Sequence, residues 1–153
     1  MRDHRALPAF QQVHELVLAI HEAVGSIPHE EAPEGEASAL AARMESAAHS
    51  AAAAIARACA VPDEQFGGQL DEASRRLREV GYYIDIAQRL GYLPLDSAVE
   101  LLERQTHTGM EVNAMMPEEG GARIPTPANA NDAQEDAETA DLATEVLASL
   151  SAR

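Results

Sequence analysis

Two pairs of residues in this chain have the types and spacing of metal ligands: Glu45 with His49 and Glu103 with His107, each four apart and so on one helix face. His14 and His21, one heptad apart, would bring two more imidazoles from a third segment. A mixed histidine and carboxylate site spread over three helices would suit zinc or iron. Two observations weigh against it. The chain contains no Glu-x-x-His, the signature of di-metal bundles. His14 and His21 also flank an apolar stripe instead of occupying it, and histidines that border a core usually reach solvent or pair with a nearby carboxylate. The histidines are therefore read as surface groups, with no metal and no cofactor expected. No serine-histidine-acid order, glycine-rich phosphate loop or paired-cysteine motif is present either, so no catalytic residue is assigned and an enzyme is not expected. The single cysteine, Cys59, sits in an alanine-rich run and reads as a small buried hydrophobe.

Charge narrows the function classes further. The net charge is −15, and all eleven basic residues are arginine. Up to Met116 nine arginines face eighteen acids, and beyond it two face eight, so the acidity belongs to body and tail alike. Such a field opposes the approach of nucleic acid and of anionic membranes. Arg75, Arg76 and Arg78, with Arg89 further along, form the one weak candidate patch for nucleic acid. Asp71, Glu72, Glu79 and Asp85 on the same segment explain those arginines as intrahelical partners. The N-terminus lacks the continuous apolar run of a signal peptide and no stretch approaches a membrane span, so a cytoplasmic protein is expected.

The elements that would position these residues are helical. Leu70, Ala73, Leu77, Val80, Ile84 and Ala87 fall three or four apart over Leu70 to Leu93, an uninterrupted amphipathic pattern that needs partner helices to cover it. A first helix is predicted from Pro8 to Val24, with Phe10, Val13, Val17, Ile20, Val24 and Ile27 inward. The acidic stretch His29 to Glu36 reads as a loop. A second helix should run from Ser38 to Ala60, with Leu40, Met44, Ala47, Ala51, Ile55 and Ala58 inward, an alanine-rich stripe suited to lie between larger neighbours. Pro62 and Asp63 open the third, Asp63 as a cap for a free N–H, and Gly91 ends it. The fourth starts at Leu95 with Asp96 as N-cap and should bury Val99, Leu102, Thr106, Gly109, Val112, Asn113 and Met116. Short connections make neighbours antiparallel, which gives an all-α, up-down-up-down four-helix bundle over residues 1–116.

Pro117 to Ala130 has the composition of a linker. Asn131 to Arg153 returns to a helical pattern, with Ala140, Ala143, Val146, Leu147 and Leu150 on one side. It reads either as a solvated acidic tail or as a short amphipathic helix that docks on a partner, as encapsulation peptides do on bacterial protein shells. Val146, Leu147 and Leu150 are its candidate interface. In the body the candidates are Tyr82 and Tyr83: Tyr83 lies beside the apolar stripe, and Tyr82 is turned away from it, where it suits a subunit contact.

The wording of Leu70 to Leu93, with Ala73-Ser74, Glu79 and the closing Ala87-Gln-Arg-Leu-Gly-Tyr-Leu93, resembles a bacterial group of four-helix bundle proteins. That group comprises proteins encoded by intervening sequences of large-subunit ribosomal RNA genes and the accessory variability determinants of diversity-generating retroelements. The resemblance extends over Phe10 to Met116 and includes HELVLAIHEAV in the first helix. It implies a bundle that assembles into a ring, typically a homopentamer, with no catalytic residues and no cofactor. For the retroelement members it also implies a basic surface that binds reverse transcriptase and RNA. Where the family reads Gln-x-Arg-Arg-Ala-Ala, this chain has Arg43-Met44-Glu45-Ser46-Ala47-Ala48; its Ser-Asn-Ile-Ala-Glu-Gly is here Ala53-Ala54-Ile55-Ala56-Arg57-Ala58. The lost arginine pair and the acidic balance favour a protein partner over nucleic acid, so a multivalent, non-enzymatic scaffold or adaptor is expected.

Overall fold

Proline and glycine punctuate the chain where the helices change direction. The computed structural model describes residues 2–27 and 35–118. The expected acidic loop, apart from Gly35 and Glu36, lies outside these residues, as do the rest of the linker beyond Glu118 and the whole of 131–153. A single 3-10 turn, His4–Ala6, precedes four α-helices: α1 (Pro8–Gly25), α2 (Glu36–Ala60), α3 (Asp63–Arg89) and α4 (Leu95–Ala114). Each helix packs on the next and α4 returns to α1, whereas the diagonal pairs α1 with α3 and α2 with α4 do not meet. This is the cyclic order of an up-down-up-down bundle, as the sequence predicts.

The interface of α2 with α3 is the most extensive of the four. Its cause is composition: seven of the ten buried positions of α2 are alanine, with Met44, Ile55 and Cys59 making up the rest. Small side chains let the neighbouring backbone come close, and the larger Leu70, Leu77, Val80 and Ile84 of α3 fill the space that alanine leaves. On the other side α1 supplies fully buried Val13, Leu16 and Ile20. That stripe corrects the predicted one. Ala9, Val13, Leu16 and Ile20 are the buried line of α1, while Phe10, Val17 and Val24 pack half-buried along its edge.

The helix ends also differ in detail from the expectation. Asp63 makes no side-chain cap; Pro62 holds the cap position of α3 and Asp63 pairs with Arg2 at 2.8 Å. Likewise Pro94, not Asp96, precedes α4, which has no side-chain cap. At both starts proline leaves one fewer backbone N–H to satisfy, and the acid in the first turn complements the helix dipole without a direct bond. Gly91 does end α3 as predicted. Its φ of +79° allows the Tyr92 and Gly91 N–H groups to donate back to the carbonyls of Ala87 and Gln88, at 2.8 and 3.0 Å, so that orphan carbonyls of the last turn are satisfied.

The largest correction concerns α4. Its buried residues are Ala98, Leu101, Thr108 and Val112, whereas Val99 and Thr106 of the predicted stripe are exposed and Leu102 and Gly109 half-buried. The inner face is polar for a core: Thr108 turns its hydroxyl onto the Arg104 carbonyl at 2.8 Å, and Gln105 donates to the Leu77 carbonyl of α3 at 3.1 Å. Gly81, one turn beyond Leu77, leaves room for that glutamine; a Cβ there would stand 3.4 Å from its amide.

Because the alanine face of α2 leaves no space, Ala54→Leu is expected to destabilise the fold by about 1–3 kcal/mol in urea denaturation. The same change at exposed Ala39 should alter stability by less than about 0.5 kcal/mol.

Candidate functional site

The bundle scatters the histidines. His14 is exposed and lies against the Phe10 ring with centroids 6.4 Å apart. His21 bonds Glu45 of α2 through Nδ1 at 2.9 Å, a pair in which the imidazole side chain is 80% exposed. His107 lies 3.9 Å from Glu111, and not against Glu103, the partner its spacing suggested. His49 shares a shallow polar groove between α2 and α3 with Glu45, Arg57, Glu72 and Arg76. Among the described residues no three histidine, cysteine or acidic side chains converge as metal ligands would.

The arginines of α3 are held by their own helix. Arg76 donates to Glu72 at 2.8 Å and to Glu79 at 3.2 Å, and these two carboxylates, Glu72 foremost, raise its already high pKa. Arg75 meets Glu72 at 2.9 Å and Arg89 meets Asp85 at 3.0 Å. Arg78 alone of the four makes no ion pair among the described residues. A phosphate arriving at this face would have to displace carboxylates already seated there.

Sequence reasoning missed the N-terminal strap. Arg2 lies over the Phe66 ring, 4.3 Å from its centroid, pairs with Asp63, and donates its backbone N–H to the Cys59 carbonyl at 3.3 Å. Asp3 caps the short turn through the Arg5 N–H at 3.0 Å. Arg2 thereby ties the start of the chain to the corner between α2 and α3, and no residue pattern in MRDHRALPAF announces that contact. Cys59 is buried beneath this corner, as expected, and burial pushes its thiol pKa up. Of the two buried hydroxyls, Thr108 is bonded, whereas Ser74 of α3, 7% exposed, has no hydrogen-bond partner among the described residues.

Some of the outer surface is apolar. Tyr82 is 62% exposed, its ring tilted beside that of Tyr83 with centroids 5.8 Å apart, and the Tyr83 ring is half-buried against the core, as the sequence placed both. On α4 the side chains of Val99, Leu102, Glu103, Thr106, His107 and Met110 line a shallow groove. The arrangement has the makings of a contact surface: apolar centre, charged margin, no activated nucleophile or paired acid and base. Val146, Leu147 and Leu150, the candidate interface of the tail, lie outside the described residues. No helix among the described residues is long and apolar enough to cross a membrane. No protein-family model matches the chain, and no curated protein does.

The buried thiol gives a pH test of the corner. A folded thiol that keeps its proton to higher pH than the unfolded one lends stability below the ordinary thiol value of about 8.5, and that contribution is lost as pH rises above it. Urea denaturation between about pH 7 and 10 should therefore show a decline that is smaller in Cys59→Ala; equal declines in the two proteins would place the thiol in water instead.

Proposed function

We propose that this chain is a non-enzymatic adaptor that assembles with copies of itself and presents a protein-binding surface several times over. The observation that supports it is the concentration of unsatisfied apolar surface on two outward helix faces, Tyr82 on α3 and the stripe of α4, in a chain otherwise strongly charged. Single exposed hydrophobes are ordinary, but a continuous apolar line beside acids is the composition of an interface. The resemblance to ring-forming four-helix bundle proteins supports a homopentamer as the assembly, with Tyr82 at the subunit contact and Tyr83 behind it. Closed symmetry would repeat each surface around the ring, so that modest affinity at one site becomes firm attachment of a partner with several copies.

The partner is a protein. Arg75, Arg76 and Arg89 already hold carboxylates, and a ring of such chains multiplies the negative field that nucleic acid must cross. Residues 131–153, acidic and amphipathic in sequence, offer a second element for display. No part of this reading requires a metal or a cofactor.

Light scattering on the full chain should give a small whole-number multiple of the chain mass, with five as the expected value. Tyr82→Glu should lower it while leaving helical content unchanged. A wild-type monomer at micromolar concentration would contradict the assembly.

A further inference from the structure

Three of the exposed large apolar side chains among the described residues, Leu95, Val99 and Met110, fall on one line along α4. Half-buried Leu102 and exposed Thr106 complete the line. The steps of four, three, four and four residues keep all five on one side of a helix, turned away from buried Leu101, Thr108 and Val112. Fifteen residues separate Leu95 from Met110, so the seam is about 22 Å long, roughly four helical turns. Within the bundle α4 packs only on α1 and α3, and nothing among the described residues covers this side. A helix of matching length is the shape such a seam accepts, with its own apolar side chains seated between those of α4.

Charge decides which helix. Asp96, Glu100, Glu103 and Glu111 give α4 four acids against one cation, Arg104. That guanidinium is already engaged, 3.1 Å from Glu100 and 3.7 Å from Glu15 of α1. Glu103, on the edge of the groove, makes no ion pair among the described residues. A second copy of α4 would bring the same acids to the same rim. Residues 131–153 would do likewise, with six acids against Arg153 alone. Like charges set face to face across an interface are repulsive, whereas opposite charges speed encounter and fix register. Met110 adds a flexible thioether that adapts to the side chains laid against it.

We propose that the outer seam of α4 is a docking groove for a basic amphipathic helix of another protein. The apolar face of that helix lies along Leu95, Val99, Leu102, Thr106 and Met110, and its lysines or arginines reach Asp96 and Glu103, which share one margin of the seam. This rests on the adaptor reading and names the chemistry of the partner.

The test uses a fluorescent peptide of about fifteen residues, with leucine at helical spacing and lysine elsewhere, titrated with the full chain and followed by anisotropy. Saturable binding is expected, weakening at least about tenfold between roughly 0.05 and 0.5 M salt. Val99→Asp and Met110→Asp should each weaken it by about tenfold or more, whereas Ala39→Asp, which adds the same charge on α2, should change it less than about twofold. Circular dichroism of each variant confirms that the helices persist. No binding, equal binding of a scrambled peptide of the same composition, or equal losses in all three variants would overturn the proposal. So would a Met110→Asp variant that loses self-assembly while the wild type ignores the peptide, since the seam would then join copies of the chain. Light scattering on the same samples separates the two readings: a monomer that binds the peptide at this seam removes the ring but keeps the groove, and a ring that ignores it does the reverse.

Discussion

The structure depends on the packing of large side chains from α1 and α3 against an α2 face made almost wholly of alanine. Alanine contributes little buried area of its own, about a methyl group at each position, so α2 acquires stability only by letting its neighbours approach. Leu16 and Ile20 on one side, and Leu70, Leu77 and Ile84 on the other, supply the area that α2 lacks. The same constraint fills the interior between these helices with apolar side chains. Among the described residues the buried polar groups are one threonine and one serine.

The proposed contact surface lies on the outside, on α4. The role of α4 in the bundle is met by an inner face of Ala98, Leu101, Gln105, Thr108 and Val112, a modest set in which a glutamine and a threonine make specific bonds to backbone carbonyls. Its outer face carries leucine, valine and methionine. That exposed apolar line is the physical basis for proposing α4 as the element that meets a partner.

The bundle was legible because its signals are local and repeated: α3 carries an uninterrupted helical period, and proline or glycine marks its start and its end. The alanine stripe of α2 was legible for the same reason. The face of α4 was not, since periodicity reports which side of a helix is more apolar and not which side faces the other helices. Val112 and Met116 of the predicted stripe are buried, but Val99 outweighs Ala98 in hydrophobicity and was taken for the core in place of its neighbour. Sequence spacing also placed Glu103 beside His107, whereas His107 lies near Glu111 in the opposite direction along the helix. The Arg2 strap depends on chain path: its partners Asp63 and Phe66 are some sixty residues away, and no local pattern encodes them.

The account thus rests on one feature, a line of exposed apolar side chains on the outward side of α4. The most direct measurement is methyl NMR of the full chain, labelled at methionine, leucine and valine, during addition of the leucine-lysine helix. The account predicts shifts confined to Val99, Leu102, Met110 and Leu95, with Met44 of the alanine-lined core and Leu18 of α1 unmoved. Shifts spread evenly over the protein, or centred on the Tyr82 and Arg78 face of α3, would contradict it.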